Sequence, residues 1–190
     1  LGLSNLSILA QTLYDAKKQL PGHFDISKIP LDDSKTLALY AKGDTNGVFQ
    51  FESSGIKNVL RQLKPTTFEH IVAVNALYRP GPSRNIQSFI QRRHGHEKVT
   101  ILDSSLKTIL APTFGIIVYQ EQVMLVAETF AGFTLGEADL LRSAMSKKKI
   151  EKMTAMHEKF VQGAIDLGHD GEQAEQIFAY IDEFANYGFN

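Results

Sequence analysis

The sequence predicts a mainly α, multi-helix chain with a few short strands and long connecting loops. Three observations carry that expectation. Apolar residues recur at three- and four-residue spacing along most of the chain, as one buried face of an α-helix requires. Thr66 with Glu69, and Thr134 with Glu137, stand before such patterns as helix-opening capping boxes, in which each side chain satisfies a backbone donor. Proline and glycine fall mostly between the periodic runs, where they turn the chain.

Taken in order, Leu3, Leu6, Leu9, Ala10, Leu13 and Tyr14 place an amphipathic helix over residues 4–20, and Pro21-Gly22 ends it. Asp32-Asp33-Ser34 offer side-chain oxygens to the first N–H groups of a short helix through Tyr40. Asp44-Thr45-Asn46-Gly47 is a turn signal, and Val48-Phe49-Gln50-Phe51 after it reads as a short strand. Ile56, Val59, Leu60 and Leu63 form a helix that stops by Pro65. The box at Thr66 and Glu69 opens a helix to Leu77 that buries Phe68, Ile71 and Val72. Arg79-Pro80-Gly81-Pro82 then interrupts, with two fixed φ angles around a residue free to turn. Ile116-Ile117-Val118-Tyr119 reads as a buried strand or extended segment, and residues 122–130 as a helix. The second box starts a helix carrying Leu140, Leu141, Ala144 and Met145. Ile150, Met153, Phe160 and Ala164 mark another; Ala174, Ile177, Phe178, Ile181, Phe184 and Ala185 define the last.

Composition bounds the chemistry. A hydrophobic share of 43% supports a sizeable core and excludes disorder driven by charge. With no cysteine, disulfides and thiolate-bound metals are excluded. No apolar run approaches the roughly 18 residues of a membrane span. The net charge of −1 does not by itself announce a nucleic-acid binder. Its distribution is less neutral: Arg84, Arg92, Arg93, His94, His96 and Lys98 crowd one stretch, and Arg142, Lys147, Lys148, Lys149 and Lys152 another. Either run is also compatible with a solvated helix face. Beginning at Leu1-Gly2-Leu3-Ser4 and ending at Tyr187-Gly188-Phe189-Asn190, the sequence is expected to be a piece of a longer protein.

Local enzyme signatures are missing. There is no Gly-x-Gly-x-x-Gly, no Walker A run, no Gly-x-Ser-x-Gly and no His-Glu-x-x-His. His94-x-His96 has no further residues to complete a zinc ligand set. Two-metal phosphoryl transfer needs acids held on one rigid edge, yet no Asp-x-Asp pair on a strand is present. No catalytic residue and no metal ligand is therefore assigned in this chain.

Four stretches are more distinctive. They are Val48-Phe49-Gln50-Phe51-Glu52-Ser53-Ser54-Gly55; Leu77-Tyr78-Arg79-Pro80-Gly81-Pro82 with Phe89-Ile90-Gln91-Arg92-Arg93-His94-Gly95; Gly115-Ile116-Ile117-Val118-Tyr119-Gln120-Glu121-Gln122-Val123-Met124; and residues 136–149, with the ending Phe184-Ala185-Asn186-Tyr187-Gly188-Phe189-Asn190. In order and spacing they resemble the fingers of C-family replicative DNA polymerases, the bacterial polymerase III α subunits of the DnaE type, over essentially the whole chain.

The resemblance implies a DNA-directed DNA polymerase of the cytoplasm that adds dNTPs to a primer with two Mg²⁺ ions. Those ions would be bound by palm aspartates upstream of this chain, so this chain alone is expected to need no cofactor and to be inactive. It also implies a fingers region subdivided at 1–45 (palm-adjacent helices), 46–112 (central fingers) and 113–190 (nucleotide-facing helices). Arg142 matches a triphosphate-contacting arginine, and a guanidinium suits a phosphate bidentately. Ser143 stands where the family commonly has a second arginine, and Ser146 where glycine is usual. Tyr119 and Tyr187 match tyrosines of the nucleotide pocket, and Arg79 is placed to shape it. Lys147, Lys148, Lys149, Arg92 and Arg93 are candidates for DNA phosphates. Implied partners are primer–template DNA, dNTP, the palm, thumb and C-terminal domains of the same chain, and, through other regions, the sliding clamp and replisome subunits; no membrane is involved. The alternative is a non-catalytic helical module that binds DNA or a protein.

Overall fold

A computed structural model describes residues 4–19, 25–146 and 150–188. The chain divides into two compact units, residues 1–33 and 34–190. In the first, helix α1 (Ser4–Gln19) is followed by a 3₁₀ turn at Ile26–Lys28, whose first N–H groups Asp25 caps through Ser27. The expected stop at Pro21-Gly22 lies outside the described residues.

The second unit is helical throughout: α2 (Ser34–Lys42), α3 (Ser54–Leu63), α4 (Phe68–Leu77), α5 (Ile86–Arg93), α6 (Lys107–Leu110), α7 (Gln120–Ala131), α8 (Leu135–Ser146), α9 (Ile150–Asp166) and α10 (Gly171–Gly188). The mainly α class thus holds, but no strand occurs among the described residues. Val48-Phe49-Gln50-Phe51, expected as a strand, is coiled into turns. Val48 N–H donates to Thr45 O and Phe51 N–H to Val48 O, while Gln50 adopts φ 67°. The buried Thr45 hydroxyl donates to Phe51 O at 2.6 Å and closes the loop, so Val48 N–H, Phe51 N–H and Phe51 O are used within it rather than on a neighbouring strand.

Two hydrophobic cores fill this unit. One gathers Ile56, Leu60, Leu63, Val74, Leu77 and Phe89 from α3, α4 and α5; the other gathers Val126, Phe130, Leu141, Phe160, Ile177 and Ile181 from α7 to α10. Gly163 lets α9 approach α7 closely, since a Cβ there would stand 2.2 Å from the Ala131 carbonyl oxygen. The stretch 116–118 is extended in its alternation but unpaired. Ile116 and Val118 enter the first core and Ile117 the second, because successive side chains of extended backbone point to opposite sides.

An unpaired buried backbone needs other partners, and side chains supply them. Gln122 Oε1 accepts from the N–H groups of Val118 (2.8 Å) and Tyr119 (3.0 Å). Gln122 Nε2 donates to Ile109 O (3.1 Å) and to Thr113 Oγ1 (2.8 Å). Thr113 donates in turn to Ile116 O at 2.6 Å, and Ile117 N–H reaches the Tyr180 hydroxyl at 3.2 Å.

The first capping box is displaced by one residue. Thr67, extended at φ −138°, accepts from His70 N–H, whereas Thr66 is engaged by the Arg93 guanidinium and by His70 Nδ1. The second box forms as expected, with Thr134 N–H donating to Glu137 Oε2 (2.8 Å) and Glu137 N–H to Thr134 Oγ1 (3.4 Å). Of the three residues expected inside from α4, only Ile71 is buried; Phe68 and Val72 are 41% and 39% exposed. Their face of α4 is turned away from the core that Ile71, Val74 and Leu77 fill. Leu140, counted with the inner face of α8, is likewise exposed, while Leu141, Ala144 and Met145 are buried.

Substituting Gln122→Leu keeps the volume and strands two buried N–H groups, so unfolding free energy is expected to fall by about 2–4 kcal/mol. Urea denaturation should show a lower midpoint at unchanged slope; an unshifted midpoint would show that the amide contributes nothing net.

Candidate functional site

Arg142 lies on α8, whose first turn is pinned from two sides. Besides the box with Thr134, the Glu137 carboxylate accepts from Lys159 Nζ on α9. The Lys159 ammonium, together with the Thr134 donors, lowers the Glu137 carboxyl from its ordinary value to about 2. Two residues on, Asp139 holds Arg142: Oδ1 accepts from Nε at 2.9 Å and from Nη2 at 2.7 Å. The Arg142 side chain is about one-third exposed. Its guanidinium is thus oriented before any anion arrives, by an acid at the i−3 position that charge patterning on a helix could have revealed.

Tyr119 sits immediately before α7, half-buried against the first core. Burial, with the charges of Glu69 and Glu121, pushes its phenol pKa up, so the ring keeps its O–H as a donor. Arg79 follows α4 in the Pro/Gly turn, and its Nε donates back to Ala76 O at 3.0 Å. That contact closes the C-terminal end of α4, where carbonyls lack helical partners.

The two arginines of α5 are bonded into the fold. Arg92 Nε donates to Glu97 Oε1 at 2.7 Å and Nη1 to Phe114 O at 3.1 Å, with the side chain only 18% exposed. Arg93 Nη2 donates to Thr66 Oγ1 at 3.0 Å, while its Nε is buried without a hydrogen-bond partner. Beside it, His70 stacks on Phe114, and burial plus the Arg93 charge hold its pKa below the usual value. The neutral ring accepts Thr66 N–H at Nδ1. His94 Nε2 is engaged with Gln62 O at 2.9 Å. Lys147, Lys148, Lys149 and the side chain of Tyr187 lie outside the described residues. The described candidates therefore occupy separate elements: Arg142 on α8, Tyr119 at the entry to α7, Arg79 after α4, and Arg92 and Arg93 on α5.

A family model described as the bacterial DNA polymerase III alpha subunit finger domain matches residues 5–168. The chain belongs to this family. Over 190 residues it is 51% identical to the DNA polymerase III subunit alpha of Halalkalibacterium halodurans, covering all of this chain and 17% of that protein. It is 50% identical over 189 residues to the DNA polymerase III subunit alpha of Staphylococcus aureus, and 49% identical over 190 residues to that of Streptococcus pyogenes. Each of these matches covers all of this chain and 18% of the relative. The finger-domain chain thus spans less than a fifth of the length of the curated relatives it matches. Its arginines and tyrosines were legible as motif members, and Asp139 by its spacing from Arg142, but the partners Glu97, Ala76 and Phe114 were not.

Because the folded-state pKa of Glu137 lies below its ordinary value, its contribution to stability is complete above about pH 4.5 and is lost as pH falls toward about 2. Carbon NMR of its carboxyl is expected to titrate near pH 2, and in Lys159→Met to move back toward 4.5. A midpoint unmoved by that substitution would remove Lys159 as the cause.

Proposed function

We propose that this finger domain works within a DNA-directed DNA polymerase that extends a primer by template-dependent dNTP addition in chromosomal replication, and that it forms one wall of the nucleotide pocket and part of the template path. The observation that carries this reading is Arg142: a partly exposed guanidinium, preset by Asp139 on a helix pinned at its start, within a chain matched to the finger-domain family over residues 5–168.

In this reading Arg142 takes triphosphate oxygens. A cation beyond the metals neutralises charge that develops on the transferring phosphoryl group. Tyr119 and Tyr187 wall the base or sugar, Tyr119 as a neutral phenol, and Arg79 shapes the pocket edge from its locked turn. Lys147, Lys148 and Lys149 face phosphates of the nucleotide or template as flexible point charges. Arg92 and Arg93 act first as struts, and DNA contact falls to the donors those bonds leave over. The two Mg²⁺ ions are assigned to palm aspartates outside this chain. No group of three or more His, Cys, Asp or Glu among the described residues is placed to hold a metal, so no step at the metals is derived from these residues. Primer–template, dNTP and the other domains of the same polypeptide are the proposed partners in the bacterial cytoplasm, with the clamp and other replisome subunits reached through other regions. No described helix is long and apolar enough to cross a membrane.

Primer extension by the full-length polymerase, wild type against Arg142→Ala over a dNTP titration, tests this. Loss of one charge-assisted phosphate contact should cost about 1.5–3 kcal/mol, roughly tenfold or more in kcat/KM, with primer–template affinity little changed. Unchanged kinetics would reduce Arg142 to a surface residue and remove the pocket from α8.

A further inference from the structure

Helix α4 has a second face that the first core does not use. Phe68 and Val72 lie one turn apart on it, Asn75 continues the same stripe at helical spacing, and Arg79 follows in the turn beyond the helix end. At its C-terminal end this stripe opens into a cavity of about 530 Å³ that Gln50, Tyr78 and Ile56 complete. That volume falls within the roughly 300–1,000 Å³ usual for small-molecule sites.

The polar groups of the cavity are arranged rather than scattered. Asn75 Nδ2 donates to Gln50 Oε1 at 3.1 Å. The bond leaves the Gln50 NH₂ group to donate and the Asn75 carbonyl oxygen to accept. A donor and an acceptor on one cavity wall can serve the edge of a nucleobase. Gln50 reaches this position only through a left-handed backbone at φ 67°, a conformation that a non-glycine residue adopts at a cost and that tends to mark sites of function. The Tyr78 ring lies close over Gly55: a Cβ there would meet its hydroxyl at 2.0 Å, so any larger residue would displace the ring. The ring is still 38% exposed at the cavity. Arg79, which also lines the cavity, uses Nε on Ala76 O and keeps its two Nη groups as further donors.

We propose that this cavity takes an unpaired nucleobase of single-stranded DNA, with the Gln50–Asn75 amides on its edge, Tyr78 against its face and Arg79 on the neighbouring phosphate. An aromatic platform beside a cation is the usual means of holding a single strand. A protein segment docking on α4 would need only the apolar stripe; the paired amides and the terminal cation are what favour a nucleotide. The inference rests on the reading of this chain as part of the template path, and gives that path its residues.

The test uses the full-length polymerase, without dNTP, on primer–templates whose 5′ single-stranded template overhang carries 2-aminopurine at successive positions. Wild type is expected to quench one position strongly, as stacking requires. Asn75→Ala and, separately, Gln50→Gly, which relieves the left-handed backbone, should each lose that quench. They should also weaken overhang binding about tenfold while leaving blunt-ended duplex binding unchanged. Uniform fluorescence along the overhang in wild type, or full quenching in both variants, overturns the proposal. So does a result in which both variants bind DNA normally but lose cross-links between α4 and another protein segment, since the face is then a protein interface. None of these readouts uses dNTP, so they fail or succeed independently of the Arg142→Ala kinetics.

Discussion

One side-chain amide ties the second unit together. Gln122 uses its oxygen twice and its nitrogen twice, and all four bonds converge on the stretch from Ile109 to Tyr119. That stretch carries Ile117 into one core and Ile116 and Val118 into the other. Without these bonds its backbone would be buried and unsatisfied, at a cost of the order of 1–3 kcal/mol per group. The position of Tyr119 follows from the same amide, since the N–H group it binds belongs to the residue whose ring half-packs on the first core.

Several charges in this domain are committed to nearby partners. Arg142 pairs with Asp139, Arg92 with Glu97, Arg84 with Glu183 and Lys159 with Glu137. Exposed pairs of this kind add little to stability, but they orient guanidinium groups. A net charge of −1 gives the chain little net field at long range. What the pairs set is where particular donors point. This is the same economy at Arg142, held by an acid three residues earlier, and at Arg79, held by a carbonyl three residues earlier.

Much of the fold was legible because periodicity and caps are local. The apolar sets of α3 and α10 and the box of Thr134 with Glu137 all appear as read. The misreadings share a different origin. Val48-Phe49-Gln50-Phe51 has the composition of a strand, but the Thr45 hydroxyl, six residues from Phe51, decides its shape. Thr66 and Thr67 are equivalent cap candidates in sequence, and Arg93, 27 residues from Thr66, takes one of them. Phe68 and Val72 look like core because apolar residues usually are, whereas α4 turns them outward. Motif order likewise identified the candidate arginines, while the partners Glu97, Ala76 and Phe114 and the amide pair at Gln50 and Asn75 needed three-dimensional proximity.

The alternation at residues 116–118 has an evolutionary consequence. Insertion or deletion of a single residue there would invert which core each following side chain serves, as a one-residue slip does in any extended segment. The length of this stretch is therefore quantised: it can change in sequence, or by two residues at a time, but not by one.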